Sequence, residues 1–172
     1  MVHSVELLFD ADTDAAVRQV WDELTAAGIR SLAAHRSPTN RPHVTLAVAE
    51  TMGAGVHAAL RPVLDRLPLR GVIGAPMLFG GGRSVTLVRL MVPSLELLAL
   101  HNDTHRICLP HTAVMLPHAE PGQWTPHVTL ARRVPSARLE SVWAVPGVVR
   151  DITATAVGLR HWDGDARVEH RI

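Results

Sequence analysis

The sequence has no lysine, no tyrosine and a single cysteine, with only two phenylalanines and four tryptophans among 172 residues. Each shortage excludes something. With Cys108 alone there is no intramolecular disulfide and no cysteine metal cluster, and a lone cysteine reads as a small buried hydrophobe before it reads as a catalytic thiol. Scarce aromatics argue against an extended base-stacking platform. No apolar run approaches the ~20 residues that a membrane span needs. The opening segment, Met1 to Glu6, lacks the basic and apolar regions of a secretory signal, so a cytoplasmic location is expected. Net charge is nearly absent too, at +1 with histidine neutral. That argues against salt-driven binding to extended duplex nucleic acid and leaves room for gripping one phosphate or one RNA end.

What is present is a soluble, globular composition, 47% apolar and 19% charged. The length suits one well-packed domain, with room for two lobes. Residues 4–9 read as a strand. A helix is expected over 14–27, its buried stripe being Val17, Val20, Trp21 and Leu24. Asp12 or Thr13 is placed to cap its start and Gly28 to end it. A second helix is expected in 55–67, where Pro62 must kink it or mark the start of its regular part. Residues 69–79 and 84–92 read as a hairpin about Gly80-Gly81-Gly82. These glycines lack the Gly-Lys-Ser/Thr ending of a phosphate loop and do not lead from a strand into a helix. Ser94 caps a helix over 95–107. Residues 109–126, with four prolines, read as irregular, apart from a short strand near 113–116. A helix over 136–143 capped by Ser136, and strands over 148–161 and 166–172, complete the chain.

The most informative feature is an exact internal repeat, which takes priority over any other pattern. Residues 42–47 and 126–131 both read Pro-His-Val-Thr-Leu-Ala. Both copies are β-prone, and Pro suits a strand's start. On a strand His43 and Thr45 share one face, and Val44 and Leu46 the other; His127 and Thr129 repeat the arrangement. One copy alone would be an ordinary strand with a surface His and Thr. Two identical copies facing each other would bring two imidazoles and two hydroxyls into one cleft. The order of elements repeats as well: strand, helix, long connection, motif strand, helix, strand. The expectation is an α+β fold spanning 1–172 as a single bilobal domain with an internal duplication, in approximate halves 1–79 and 80–172. Two mainly antiparallel sheets, with helices outside, would be related by a pseudo-two-fold axis around a central groove. Both long connections enter motif strands and are placed to rim that groove.

Two His-x-Thr-x motifs about eighty residues apart resemble the two-histidine (2H) phosphoesterase superfamily. The second copy, running from His127 to Arg132, is similar to the bacterial 2′-5′ RNA ligase and 2′,3′-cyclic phosphodiesterase branch. The resemblance implies catalytic His43 and His127, with Thr45, Thr129 and Arg132 on the phosphate. It further implies that His127 activates the attacking water and that His43 protonates the leaving oxygen. Strict alternation would turn Arg132 away from His127, so a bulge, a twist or a strand end is required; Arg133 has the right parity and competes, and either could be a solvated surface residue. Trp124, just before the second motif, either stacks on a base or anchors its loop. Phe9 is a further stacking candidate.

The residue types fit that chemistry. Opening a cyclic phosphate removes one proton and delivers another, and imidazole does either near neutral pH. Thr hydroxyls donate to the non-bridging oxygens. The scheme requires no metal and no cofactor. The expected partner is a nucleotide cyclic phosphate or an RNA terminus, bound by a monomer. Two other readings stand beside it: a nucleotide- or RNA-end-binding module without chemistry, and a metal-dependent hydrolase using His101 and His105, spaced i, i+4 on the third helix. His3, His35, His57, His111, His118, His161 and His170 show no partner spacing and read as surface or structural residues.

Overall fold

In a computed structural model that describes residues 1–172, the first strand, β1, spans His3–Phe9 and is buried throughout. Helix α1 follows over Ala11–Ala26. It buries Val17, Val20, Trp21 and Leu24, the expected stripe. Its cap is Asp10 rather than Asp12 or Thr13: the Asp10 carboxylate accepts from the Thr13 amide at 2.9 Å, satisfying an amide that the helix leaves open. Gly28 ends it at φ 75°, a conformation glycine adopts at no steric cost. Strand β2 is His43–Met52. Helix α2 covers only Gly55–Leu60, and Pro62 sits at the start of a tighter 3₁₀ segment, Arg61–Arg66.

Strands β3 (Leu69–Phe79) and β4 (Ser84–Met91) form the expected hairpin, with Gly80 and Gly82 at positive φ in its turn. Helix α3, Leu95–Cys108, is capped by Ser94. Strand β5 is Thr112–Met115, and β6 is His127–Pro135. Helix α4 is only Leu139–Trp143. Ser136 does not cap it, because its hydroxyl donates to the Gly82 carbonyl at 2.6 Å. The expected strand from 148 gives way to a short helix, α5, over Pro146–Val149; proline suits a first helical position. Strands β7 (Ile152–Asp163) and β8 (Val168–Arg171) follow. No helix is long and apolar enough to cross a membrane.

The strands form a single eight-stranded sheet in the order β5-β2-β1-β7-β3-β4-β6, with β8 on β7; all pairings are antiparallel. The two expected sheets are therefore the two wings of one. The core of the order, β2-β1-β7-β3-β4-β6, reads as a pseudo-two-fold in which β1 matches β4, β2 matches β6 and β7 matches β3. Each half of the chain sends one strand, β3 from the first and β7 from the second, into the other lobe. Residues 69–73 of β3 pair with 152–156 of β7, while the far part of β3 pairs with β4 and that of β7 with β1. Arg89, 1% exposed, ties this junction to α5. Its guanidinium donates to Ile73 O at 3.1 Å, Gly147 O at 2.8 Å and Arg150 O at 2.8 Å, and also to Gly74 O.

Four histidines that show no pairing in sequence meet between α2, β1, β7 and β8. His57 Nε2 lies 2.9 Å from His161 Nδ1, and His161 Nε2 lies 3.1 Å from His3 Nδ1. His3 Nε2 lies 3.2 Å from Asp165 Oδ2, and the His170 ring stands 4.9 Å from that of His57. One set of neutral tautomers, each carrying its proton on Nε2, satisfies all three contacts in the direction His57 to His161 to His3 to Asp165. Burial, and then the neighbouring charges of His57, His3 and His170, push the His161 imidazole down to about 4.

The folded protein thus holds this proton less tightly than the unfolded chain does. The associated stability is present above 6.5, the ordinary imidazole value, and is lost as pH falls toward about 4. Urea unfolding is expected to show a loss on the order of 2 kcal/mol between pH 7 and pH 5. His161→Gln should flatten that dependence; an equally steep profile in the variant would remove His161 as its source.

Candidate active site

The two motif strands alternate as the pattern requires. Val44, Leu46, Val128 and Leu130 are buried, while His43, Thr45, His127 and Thr129 are half-buried on the opposite faces. The histidines are held by the same local device. His43 Nδ1–H donates to the Arg41 carbonyl at 2.8 Å, and His127 Nδ1–H donates to the Thr125 carbonyl at 2.7 Å. Each carbonyl lies two residues upstream, fixes the tautomer and leaves Nε2 unprotonated in the neutral ring.

Strands β2 and β6 lie against each other across the closed side of the fold. Two tryptophans brace them reciprocally. Trp21, from α1, donates its indole N–H to Thr129 O at 3.2 Å; Trp124, from the connection before β6, donates to Thr45 O at 2.9 Å. The carbonyl of each motif threonine is thereby held from outside its own strand. Trp124 also stacks on His101 at 3.8 Å between centroids and 3° between planes. These are the contacts of a loop anchor. His101 is 2% exposed and donates Nε2–H to Ala119 O at 2.9 Å, with the His105 ring 6.4 Å away. His101 is a pillar beneath Trp124, which removes the ground for a His101/His105 metal pair.

The two histidines differ in their electrostatics. Burial pushes His127 below the ordinary imidazole value; its bond to Thr125 opposes this, and the positive charges of His43, Arg132 and His118 add to the lowering. The Phe79 ring presents a T-shaped contact to His127 at 4.7 Å. Beside His43 stands a carboxylate instead: Glu6 Oε2 is 3.7 Å from His43 Nε2. Arg132 is exposed, yet its charge is felt at His127. A bulge lies beside it: Arg133 takes φ 54° and the β4–β6 register shifts across residues 131–134.

Phe9 is a correction. It is only 9% exposed and packs in the core, since the last residue of a central strand faces the helices. Phe79, Glu6 and His118 are what the sequence reading missed. Glu6 had a signal, an acid within the apolar run Val5-Glu6-Leu7-Leu8. Phe79 had none, because its position depends on the strand exchange. A surface hollow of about 740 Å³ lined by Arg66, Pro68, Leu69, Arg70, Glu96 and Ala99 contains neither motif histidine.

Replacing Trp124 by Phe keeps a ring against His101 but removes the donor to Thr45, with an expected stability loss of about 1 kcal/mol. Trp124→Ala removes both and should cost about 3 kcal/mol or more. Chemical denaturation of the three proteins checks the order.

The fold is shared with solved structures at low sequence identity. TT0787 of Thermus thermophilus superposes with a TM-score of 0.58 at 15% identity, over 100% of this chain and 95% of that one. E. coli LigT in its apo form gives 0.51 at 14%, over 99% and 92%. The MHV ns2 PDE domain gives 0.53 at 14%, over 91% and 99%. No curated protein matches the sequence. A family model described as the 2′-5′ RNA ligase superfamily matches residues 12–166, a span that takes in both His-x-Thr strands and the tryptophans that brace them, and the chain belongs to that superfamily.

Proposed function

We propose that this protein is a phosphodiesterase that opens 2′,3′-cyclic phosphates of nucleotides or RNA ends to 2′-phosphates. His43 and His127 are the acid–base pair, and Thr45, Thr129 and Arg132 are the phosphate contacts. The observation that carries the reading is the pair of identical His-x-Thr strands, each histidine with Nδ1 committed to a backbone carbonyl and Nε2 left for chemistry. Membership of the 2′-5′ RNA ligase superfamily supports it, as does the same fold in an E. coli LigT structure complexed with phosphate, at TM-score 0.53 and 15% identity.

Two proton transfers balance the step. Water attacks phosphorus as His127 Nε2 takes its proton; the P–O3′ bond breaks as His43 Nε2 gives a proton to the departing 3′ oxygen. The lowered proton affinity of His127 supports it as the group that begins neutral. The Thr hydroxyls and Arg132 meet the negative charge on the non-bridging oxygens. With a 5′-hydroxyl in place of the water, the same displacement of O3′ joins a 2′,3′-cyclic end in a 2′-5′ linkage, and the reverse of that step, attack by the 3′-hydroxyl with departure of the 5′-hydroxyl, regenerates the cyclic phosphate.

The test is turnover of the four nucleoside 2′,3′-cyclic phosphates in EDTA, with identification of the phosphate isomer formed. Turnover to 2′-phosphates is expected, with His43→Ala and His127→Ala each reducing kcat/KM on the order of 10²–10⁴-fold. A bell-shaped pH profile is expected, its acid limb below 6.5 because His127 is shifted down. Activity that EDTA abolishes, or that survives both alanine variants, would overturn the assignment. Binding of 2′-phosphates without turnover of nucleotides or of RNA ends would leave a binding module in its place.

A further inference from the structure

The two halves of the site share a strand register but not a side chain. Glu6 on β1 is the cross-strand partner of Thr45. Val88 on β4 is the cross-strand partner of Thr129. The fold is built with an apolar residue at this position in one half and a carboxylate in the other. Glu6 is 5% exposed, and a carboxylate so deeply buried is costly unless charge and hydrogen bonds compensate it. Packing does not require it, since valine fills the equivalent place.

The compensation leads to His43. Ser4 Oγ donates to Glu6 Oε1 at 2.7 Å, and Arg160 Nε donates to Oε2 at 2.6 Å. Arg160, 4% exposed, also donates to Thr39 O at 2.7 Å and to Glu169 Oε2 at 2.7 Å. Glu169 Oε1 accepts from Arg41 at 3.1 Å, and the Arg41 carbonyl accepts from His43 Nδ1. The chain of contacts closes on itself, with one nitrogen of His43 at each end. At 3.7 Å, Glu6 Oε2 is too far from Nε2 to capture its proton in a hydrogen bond and near enough to attract its charge. Burial raises the Glu6 carboxyl, but His43, Arg160 and Ser4 outweigh it and hold the group ionised below its usual range.

We propose that Glu6 is a positioning residue of this site, holding the His43 ring through the Arg160–Glu169–Arg41 chain and supplying the counter-charge for an imidazolium with its Nε2 proton free for the leaving oxygen. The proposal rests on the cyclic phosphodiesterase reading for its kinetic consequences. It also explains how a duplicated motif yields one acid and one base, since the counterpart of Glu6 beside His127 is Val88.

The test uses the full chain with nucleoside 2′,3′-cyclic phosphate, comparing wild type, Glu6→Gln and Glu6→Asp across pH 5.5–9. Glu6→Gln should lower kcat by about 10²-fold with KM changed less than about threefold, and should move the alkaline limb of kcat/KM down by about one unit or more. Glu6→Asp, which keeps the charge at longer reach, should fall between the two and serves alone if the Gln variant does not fold. An unmoved limb overturns the proposal, because a merely destabilised protein loses amplitude without shifting it. Histidine NMR titration, with His43 assigned through His43→Gln, reads the same shift without turnover. If wild type turns over no cyclic phosphate, the functional reading fails, while a His43 titration that moves in Glu6→Gln still upholds the role of Glu6 and one that stays fixed ends it.

Discussion

A short stretch of antiparallel pairing, residues 69–73 of β3 against 152–156 of β7, holds the molecule together. It is the seam between the lobes, and the site is built at the other ends of the same two wings. Because the sheet runs unbroken from β2 through this seam to β6, the placement of one motif strand against the other follows from it. The surroundings reinforce the seam: Arg89 ties its backbone to α5 with four carbonyl contacts. The reciprocal tryptophans then set the spacing at the far side, where Trp21 and Trp124 each grip the carbonyl of a motif threonine.

On this near-symmetric frame the electrostatics are not symmetric. Acid–base chemistry with two identical side chains needs their proton affinities driven apart, and the motif itself cannot do that, being the same six residues twice. The surroundings of the two histidines differ: a buried carboxylate stands 3.7 Å from His43, while an aromatic edge and the charges of Arg132 and His118 lie about His127. The repeat places the groups, and the positions outside the repeat distinguish them.

What was legible in the sequence was local. The motif strands, the α1 stripe, the Ser94 cap and the glycine hairpin each depend on a few consecutive residues, and each appears where period or capping chemistry puts it. What escaped depends on distant contacts. The strand exchange could not be read, because nothing in β3 or β7 names its partner. The histidine cluster joins residues 3, 57, 161 and 170, whose spacing carries no period. Phe9 was misplaced because its exposure depends on which elements cover β1. Ser136 was misread as a cap because its hydroxyl had a better partner across the hairpin, at Gly82.

The exchange of β3 and β7 between the lobes has a consequence for how the chain reaches this fold. β1 is hydrogen-bonded on one side to β2 and on the other to β7, whose residues lie about 150 positions later in the sequence. During synthesis β1 and β2 can pair early, but one edge of β1 remains open until the segment 152–163 has left the ribosome. β3 can find β4 at once, yet its own seam with β7 waits for the same segment. Such long-range closure slows folding and leaves a strand edge open to other chains. The two motif strands therefore meet only late in folding: a chain that ends before residue 152 carries both motifs without the seam that sets one against the other.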